Sequence, residues 1–104
     1  MIELNRYEIL LPLKFNDGRA VPHESLAQTR AELKERFGAI SAESQLIRGE
    51  DDESGSHGDQ LARVFVDVPP TPDNARFFQA LKERLEERFA QFEIFITVHA
   101  VQRL

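Results

Sequence analysis

Hydrophobic and polar positions alternate in three stretches of the chain, and alternation of this kind predicts β-strands. The stretches are "RYEILLPLKF" (residues 6–15), "LARVFVDV" (61–68) and "FEIFITVHAV" (92–101), with a weaker strand predicted in "SAESQLIR" (41–48). Two further stretches carry apolar residues at helical spacing: Leu26, Leu33 and Phe37 in one, and Phe78, Leu81, Leu85 and Phe89 in the other. The pattern therefore predicts the element order β-α-β-β-α-β.

Local signals fix the ends of both predicted helices. Pro22 suits the first turn of the first helix, and Gly38 suits its end. Thr71 can cap the second helix, with Pro72 at its first position. Two βαβ halves in one short chain predict an α+β fold, the ferredoxin-like split βαβ sandwich, as a single domain over residues 1–104. Right-handed crossovers place two helices on one face of a four-stranded antiparallel sheet, in the strand order 4-1-3-2.

One residue conflicts with this order. Pro12 lies in the first strand, which the order places inside the sheet, and proline cannot donate a hydrogen bond to a neighbouring strand. Either the strand ends or bulges at Pro12, or the strand order differs.

Composition narrows the class of protein. The 104 residues hold eight Phe and no Cys, which excludes disulfides and thiolate chemistry. No apolar run has the length of a membrane span and the N-terminus lacks a signal-peptide pattern, so we expect a cytoplasmic protein without membrane contact. Five of the 18 acidic residues fall within 50–60, and the remaining 13 balance the 13 basic ones. The absence of a basic stripe argues against nucleic acid.

The acidic stretch "GEDDESGSHGD" (residues 49–59) supplies the first candidate site. A calcium-binding loop that starts at Glu50 has Gly55 at the required sixth position but Leu61, not Glu, at the twelfth. The predicted topology makes residues 50–60 a solvated hairpin loop, and an interaction loop for a basic partner is the alternative. His23, His57 and His99 lack the spacing of a metal-binding pair. We predict no metal and no cofactor.

Four segments resemble a family of small bacterial proteins of unknown function: "FNDGRAVPHE", "ERFGAI", "ARVFVDVP" and "ERFAQFEIFITV". The resemblance spans residues 6–101, except that members often carry a tryptophan after the second strand and this chain has none. It implies the ferredoxin-like fold and no established activity.

The sheet face opposite the helices, here called the outer face, is the strongest predicted surface. Alternation places four apolar residues on it, beside Arg6, Glu8, Arg63 and His99; the four are Leu10, Phe65, Phe95 and Val101. Exposed apolar groups on a sheet favour a partner, so we predict a homodimer through this face. Cover by the chain termini and plain amphipathic exposure are the alternatives.

The turn "FNDG" is the second candidate site. Asn16, Asp17 and Gly18 precede a helix N-terminus, which favours an anionic ligand, although Asp-Gly is also an ordinary turn sequence. The sequence thus favours a non-enzymatic interaction or dimerisation module. One alternative is an enzyme of the dimeric α+β barrel type that encloses a small apolar substrate and uses His99 or Arg63. The other is a regulatory domain that binds a small ligand at Asn16, Asp17 and Gly18.

Overall fold

The computed structural model describes the backbone of residues 1–39, 41–51 and 55–104, and the side chains of residues 1–39 and 61–104. The elements follow the predicted order: β1 (Ile2–Pro12), α1 (His23–Phe37), β2 (Ser41–Asp51), β3 (Gly55–Val68), α2 (Pro72–Arg88) and β4 (Ile96–Arg103). The α+β class, with two helices and an antiparallel sheet, is confirmed. Neither of the two helices is long and apolar enough to cross a membrane, as far as the described residues reach.

The sheet has the order β2-β3-β1-β4. β1 lies inside the sheet, where Ile9 pairs with Val64 of β3 on one side and with Ile96 of β4 on the other. All three strand pairs are antiparallel. The C-terminal end of β1 therefore lies beside the N-terminal end of β4.

Both helices contribute to one core on a single face of the sheet. The buried cluster combines residues of β1 and β3 with the predicted helical stripes; it includes Tyr7, Ile9, Leu11, Val64, Val66, Val68, Leu33, Phe78, Leu81, Leu85 and Phe89. The rings of Tyr7 and Phe78 stack with 3.8 Å between their centroids. Full burial of an apolar side chain of this size contributes about 1.5–3 kcal/mol, so this cluster dominates the stability of the fold.

The helix ends follow the predicted signals. The Thr71 side chain accepts a hydrogen bond from the backbone N–H of Asn74 at 3.2 Å, with Pro72 at the first helical position. Gly38 ends α1 with a positive φ of 83°, and its N–H donates to the Lys34 carbonyl at 2.7 Å. Positive φ is cheap for glycine because it has no Cβ, so Gly38 is suited to this position.

The directions of the backbone N–H and C=O groups along β1 explain how the strand accommodates Pro12. The N–H of Leu10 donates to the Phe95 carbonyl, towards β4, and alternate residues of a strand direct their backbone groups to the same side. The Pro12 nitrogen therefore also faces the β4 side. β4 begins at Ile96, opposite Ile9, so the ladder has ended before Pro12 is reached. β1 consequently ends at Pro12 and does not extend to Phe15 as predicted.

The hairpin between β2 and β3 differs from the predicted loop over residues 50–60. β2 continues to Asp51 and β3 begins at Gly55, so backbone pairing extends into the acidic stretch as far as Asp51↔Gly55. Pairing of this kind satisfies backbone donors and acceptors that a loop would leave to water. Residues 52–54 lie outside the described residues, as do the side chains of residues 41–51 and 55–60. The interpretation of these carboxylates as a solvated surface therefore stays a prediction.

Candidate functional site

The outer face carries the side chains that alternation places there. Leu10, Phe65 and Val101 are half-buried on it, and Phe95, which precedes β4, is 60% exposed. β1 also contributes Leu4, which is only 8% exposed yet lies outside the core cluster. The prediction missed Leu4 because it started the strand at Arg6 rather than at Ile2.

Two ion pairs cross this face between β1 and β3. Arg6 binds Asp67 through two hydrogen bonds, Nε to Oδ1 at 2.7 Å and Nη2 to Oδ2 at 3.0 Å. Arg63 binds Glu8 through its Nε. Both guanidinium carbons lie 4.6 Å from the centroid of the Phe65 ring, within the range of a cation–π contact. The outer face is therefore a network of charges around an aromatic ring; the sequence placed Arg6, Glu8 and Arg63 on this face but did not pair them.

The carboxylates of this network are held in their charged form. The hydrogen bond from Arg63 lowers the pKa of Glu8, and the hydrogen bond from Arg6 lowers the pKa of Asp67. The Nε2 atom of His99 lies 3.6 Å from the Oε2 atom of Glu8. The predicted ligand-binding residues Arg63 and His99 therefore meet at Glu8, away from the turn at Asn16.

A cleft of about 500 Å³ lies where β1 ends and β4 begins, and we call it the end cleft. Its apolar lining comes from Leu10, Pro12, Phe15, Leu61, Ile94 and Phe95, and its polar lining includes Lys14, Asn16, Gln91 and Glu93. Its walls are two loops that are about 75 residues apart in the chain. Antiparallel pairing of β1 and β4 brings these loops together, because the end of β1 lies beside the start of β4.

The first wall is the turn that follows β1. Asn16 and Gly18 line the cleft, whereas Asp17 does not. The Asp17 carboxylate accepts the Arg19 backbone N–H at 3.0 Å and the Arg19 Nε at 2.6 Å, and these bonds lower the pKa of Asp17. Gly18, at a φ of 90°, donates to the Phe15 carbonyl at 3.0 Å. The structure thus shows a turn at "FNDG", with two of its three predicted ligand residues beside a cleft.

The second wall, residues 91–95, is held by α2. The Ile94 N–H donates to the Glu86 carboxylate at 3.1 Å, and the Ile94 carbonyl accepts from the Lys82 ammonium. Lys82 also lies 3.6 Å from Glu93. The bond from Ile94 is the main cause of the lowered pKa of Glu86. α2 therefore engages both backbone groups of Ile94, and the last strand begins at Ile96 rather than at Phe92.

Sequence reasoning missed most of this cleft. Lys14, Gln91 and Glu93 lie in loops without a motif, so their residue types gave no signal. The topology did offer one, since the predicted order already placed the end of the first strand beside the start of the last. Asp67 could also have been found, because it continues the alternation of Arg63 and Phe65 on the outer face. Among residues 1–39 and 61–104, no three histidine or carboxylate side chains are grouped so that they could hold a metal ion.

Comparison with known proteins supports the fold and gives no family. No protein-family model and no curated protein matches this sequence. A phage SAM lyase solved in complex with S-methyl-5′-thioadenosine is similar with a TM-score of 0.65 and 16% identity, over 96% of this chain and 90% of that chain. A de novo designed protein with a ferredoxin fold, LFR1 1, solved in solution, gives a TM-score of 0.38 at 15% identity, over 100% and 88% of the two chains. The similarity to the lyase shows a shared fold, and the resemblance to a family of unknown function stays a prediction.

Proposed function

We propose that this chain is a ferredoxin-like domain with a four-stranded sheet that binds a small amphipathic molecule in the end cleft. The observation that carries the proposal is the cleft itself. Its volume of about 500 Å³ is within the range of about 300–1,000 Å³ typical of ligand sites. Such sites combine an apolar lining with a few polar groups, and the end cleft has both. This is the small-ligand alternative of the sequence analysis, with Asn16 and Gly18 in the site and Asp17 outside it.

The lining indicates the chemistry of the ligand. Phe95 is exposed at the edge of the apolar lining, where a flat ring can stack on it, with Leu10 and Leu61 nearby. Lys14 and Asn16 at the first wall can bind an anionic or hydrogen-bond-accepting group. The hydrogen bonds between α2 and Ile94 hold the opposite wall in place, which reduces the entropy lost on binding. A planar ring that carries a polar or anionic substituent fits this arrangement.

Titration followed by backbone amide NMR shifts tests the proposal. The first probe is S-methyl-5′-thioadenosine, the molecule bound by the phage lyase of similar fold, and the second is a panel of aromatic carboxylates. We expect saturable shifts that concentrate at Asn16, Gly18 and Phe95. Leu61→Glu should abolish them, whereas Leu104→Glu, the same change at a fully exposed residue, should not. Shifts that are absent with every probe, or that survive Leu61→Glu, would contradict the proposal.

The second candidate is association of two copies through the outer face. It is favoured by Leu10, Phe65 and Val101, which lie on the face opposite the core to which both helices contribute. A barrel-type enzyme would use the same face, with His99 and Arg63 enclosed between subunits. Phe65→Glu should then convert a dimer to a monomer in light scattering while circular dichroism shows an intact fold. A protein that is monomeric at high concentration would exclude both versions.

A further inference from the structure

In the part of the chain that the structure describes, the outer edge of β4 has no strand beside it. β4 lies at one end of the sheet order, with β1 on its inner side. Leu10 donates to the Phe95 carbonyl, and the same register continues from Ile9↔Ile96 to Ile2↔Arg103. Since hydrogen-bonded and non-hydrogen-bonded pairs alternate in an antiparallel ladder, odd-numbered residues of β4 direct their N–H and C=O groups to β1. The outward groups are those of Ile96, Val98, Ala100 and Gln102.

This edge lacks the features by which proteins block edge pairing. Charged residues, prolines, bulges and short length are the usual protections. β4 has no charged residue or proline from Ile96 to Gln102, it is eight residues long, and its register with β1 has no bulge. The opposite edge strand, β2, contains Glu43, Arg48, Glu50 and Asp51 within its sequence. Of the two edges, β4 is therefore the one suited to pairing.

We propose that β4 pairs with β4 of a second copy in antiparallel fashion and joins two sheets into one. The sequence "ITVHAVQR" is complementary to itself about a two-fold axis at His99. The opposed pairs are then Ile96 with Gln102, Thr97 with Val101 and Val98 with Ala100, and His99 faces His99 of the second copy on the axis. Each of the four outward residues forms a hydrogen-bonded pair, and no lysine, arginine or carboxylate stands between Ile96 and Gln102.

One apolar pair strengthens this register. Val98, which is 53% exposed in the single chain, gains an apolar neighbour in Ala100. A two-fold axis perpendicular to the sheet keeps the helices of both copies on one side. The paired residues Ile96 to Gln102 do not line the end cleft.

Sedimentation velocity of the full chain and of two variants tests the pairing. Ala100→Pro removes an outward N–H and leaves the ladder with β1 intact, as proline is tolerated where its nitrogen faces away from the sheet. We expect the unmodified protein and Phe65→Glu, which alters only the outer face, to sediment as dimers. Ala100→Pro should sediment as a monomer with an unchanged circular dichroism spectrum. A monomeric unmodified protein would overturn the proposal, as would loss of the dimer in Phe65→Glu together with its retention in Ala100→Pro.

Hydrogen exchange provides a test that needs no variant and so stands even if Ala100→Pro does not fold. Pairing predicts that the amides of Val98, Ala100 and Gln102 become more protected as protein concentration rises. The amides of Thr97 and His99, already bonded to β1, should show no such dependence. Protection of the outward amides that is independent of concentration or absent would refute edge pairing, and neither result bears on ligand binding in the end cleft.

Discussion

Replacement of Phe89 by alanine should remove a large part of the stability of this domain. Phe89 follows α2, its side chain is fully buried, and its ring belongs to the core cluster. Loss of a buried phenylalanine costs about 3–5 kcal/mol, which combines lost transfer energy with the cavity left behind. A domain of this size has about 5–15 kcal/mol in total, and 1 kcal/mol shifts the melting temperature by about 4–8 °C. We therefore expect Phe89→Ala to lower Tm by about 12 °C or more.

Two other phenylalanines provide matched controls for this substitution. Phe37 is half-buried, and the centroid of its ring lies 5.4 Å from that of Phe77 and 5.5 Å from that of Phe78. We therefore expect Phe37→Ala to cost about 1–2 kcal/mol of unfolding free energy. Phe92 is fully exposed, and Phe92→Ala should change stability by less than about 0.5 kcal/mol. Urea denaturation monitored by circular dichroism gives the three values. The reasoning is refuted if Phe89→Ala costs less than about 1 kcal/mol or if the order of the three variants differs.

Three further predictions concern the carboxylates of the outer face, the hairpin between β2 and β3, and the hydrogen bonds between α2 and Ile94. The pKa values of Glu8 and Asp67 are lowered in the folded protein. The charged carboxylates therefore stabilise the fold above an ordinary carboxyl pKa of about 4, and this contribution is lost as pH falls through the folded pKa values. In acid denaturation, the double variant Glu8→Gln with Asp67→Asn should lose stability less steeply as pH falls. Replacement of residues 50–56 by Asn-Gly leaves a two-residue turn between the paired residues Gly49 and His57, and it should change the unfolding free energy by less than about 1 kcal/mol, because loop-closure cost depends weakly on length. A larger loss, or a metal-dependent rise in Tm of the unmodified protein that the short variant lacks, would make the acidic stretch a site. Glu86→Ala removes the acceptor of the Ile94 N–H, so the exchange of that amide should accelerate while amides in the middle of β1 keep their protection.

The sequence alone determined the elements and their faces. Backbone geometry sets the period of two in residues 61–68 and the helical period from Phe78 to Phe89. These periods are therefore visible in the sequence without knowledge of the neighbouring elements. Caps such as Thr71 and Gly38 act through bonds within a few residues, so they too are visible in the sequence. These local rules were sufficient to predict the element order and the helix stripes.

Tertiary structure decided which side chains meet. Alternation indicated that Arg6, Glu8 and Arg63 share the outer face, but only the register between β1 and β3 assigns Arg6 to Asp67 and Arg63 to Glu8. The end cleft depends in the same way on antiparallel pairing that brings two distant loops together, and one of its walls is held by the contact of α2 with Ile94. Periodicity fixes the direction of a side chain relative to its own strand or helix. Its neighbours across the fold are fixed by strand register and helix docking, which are properties of the whole packed chain.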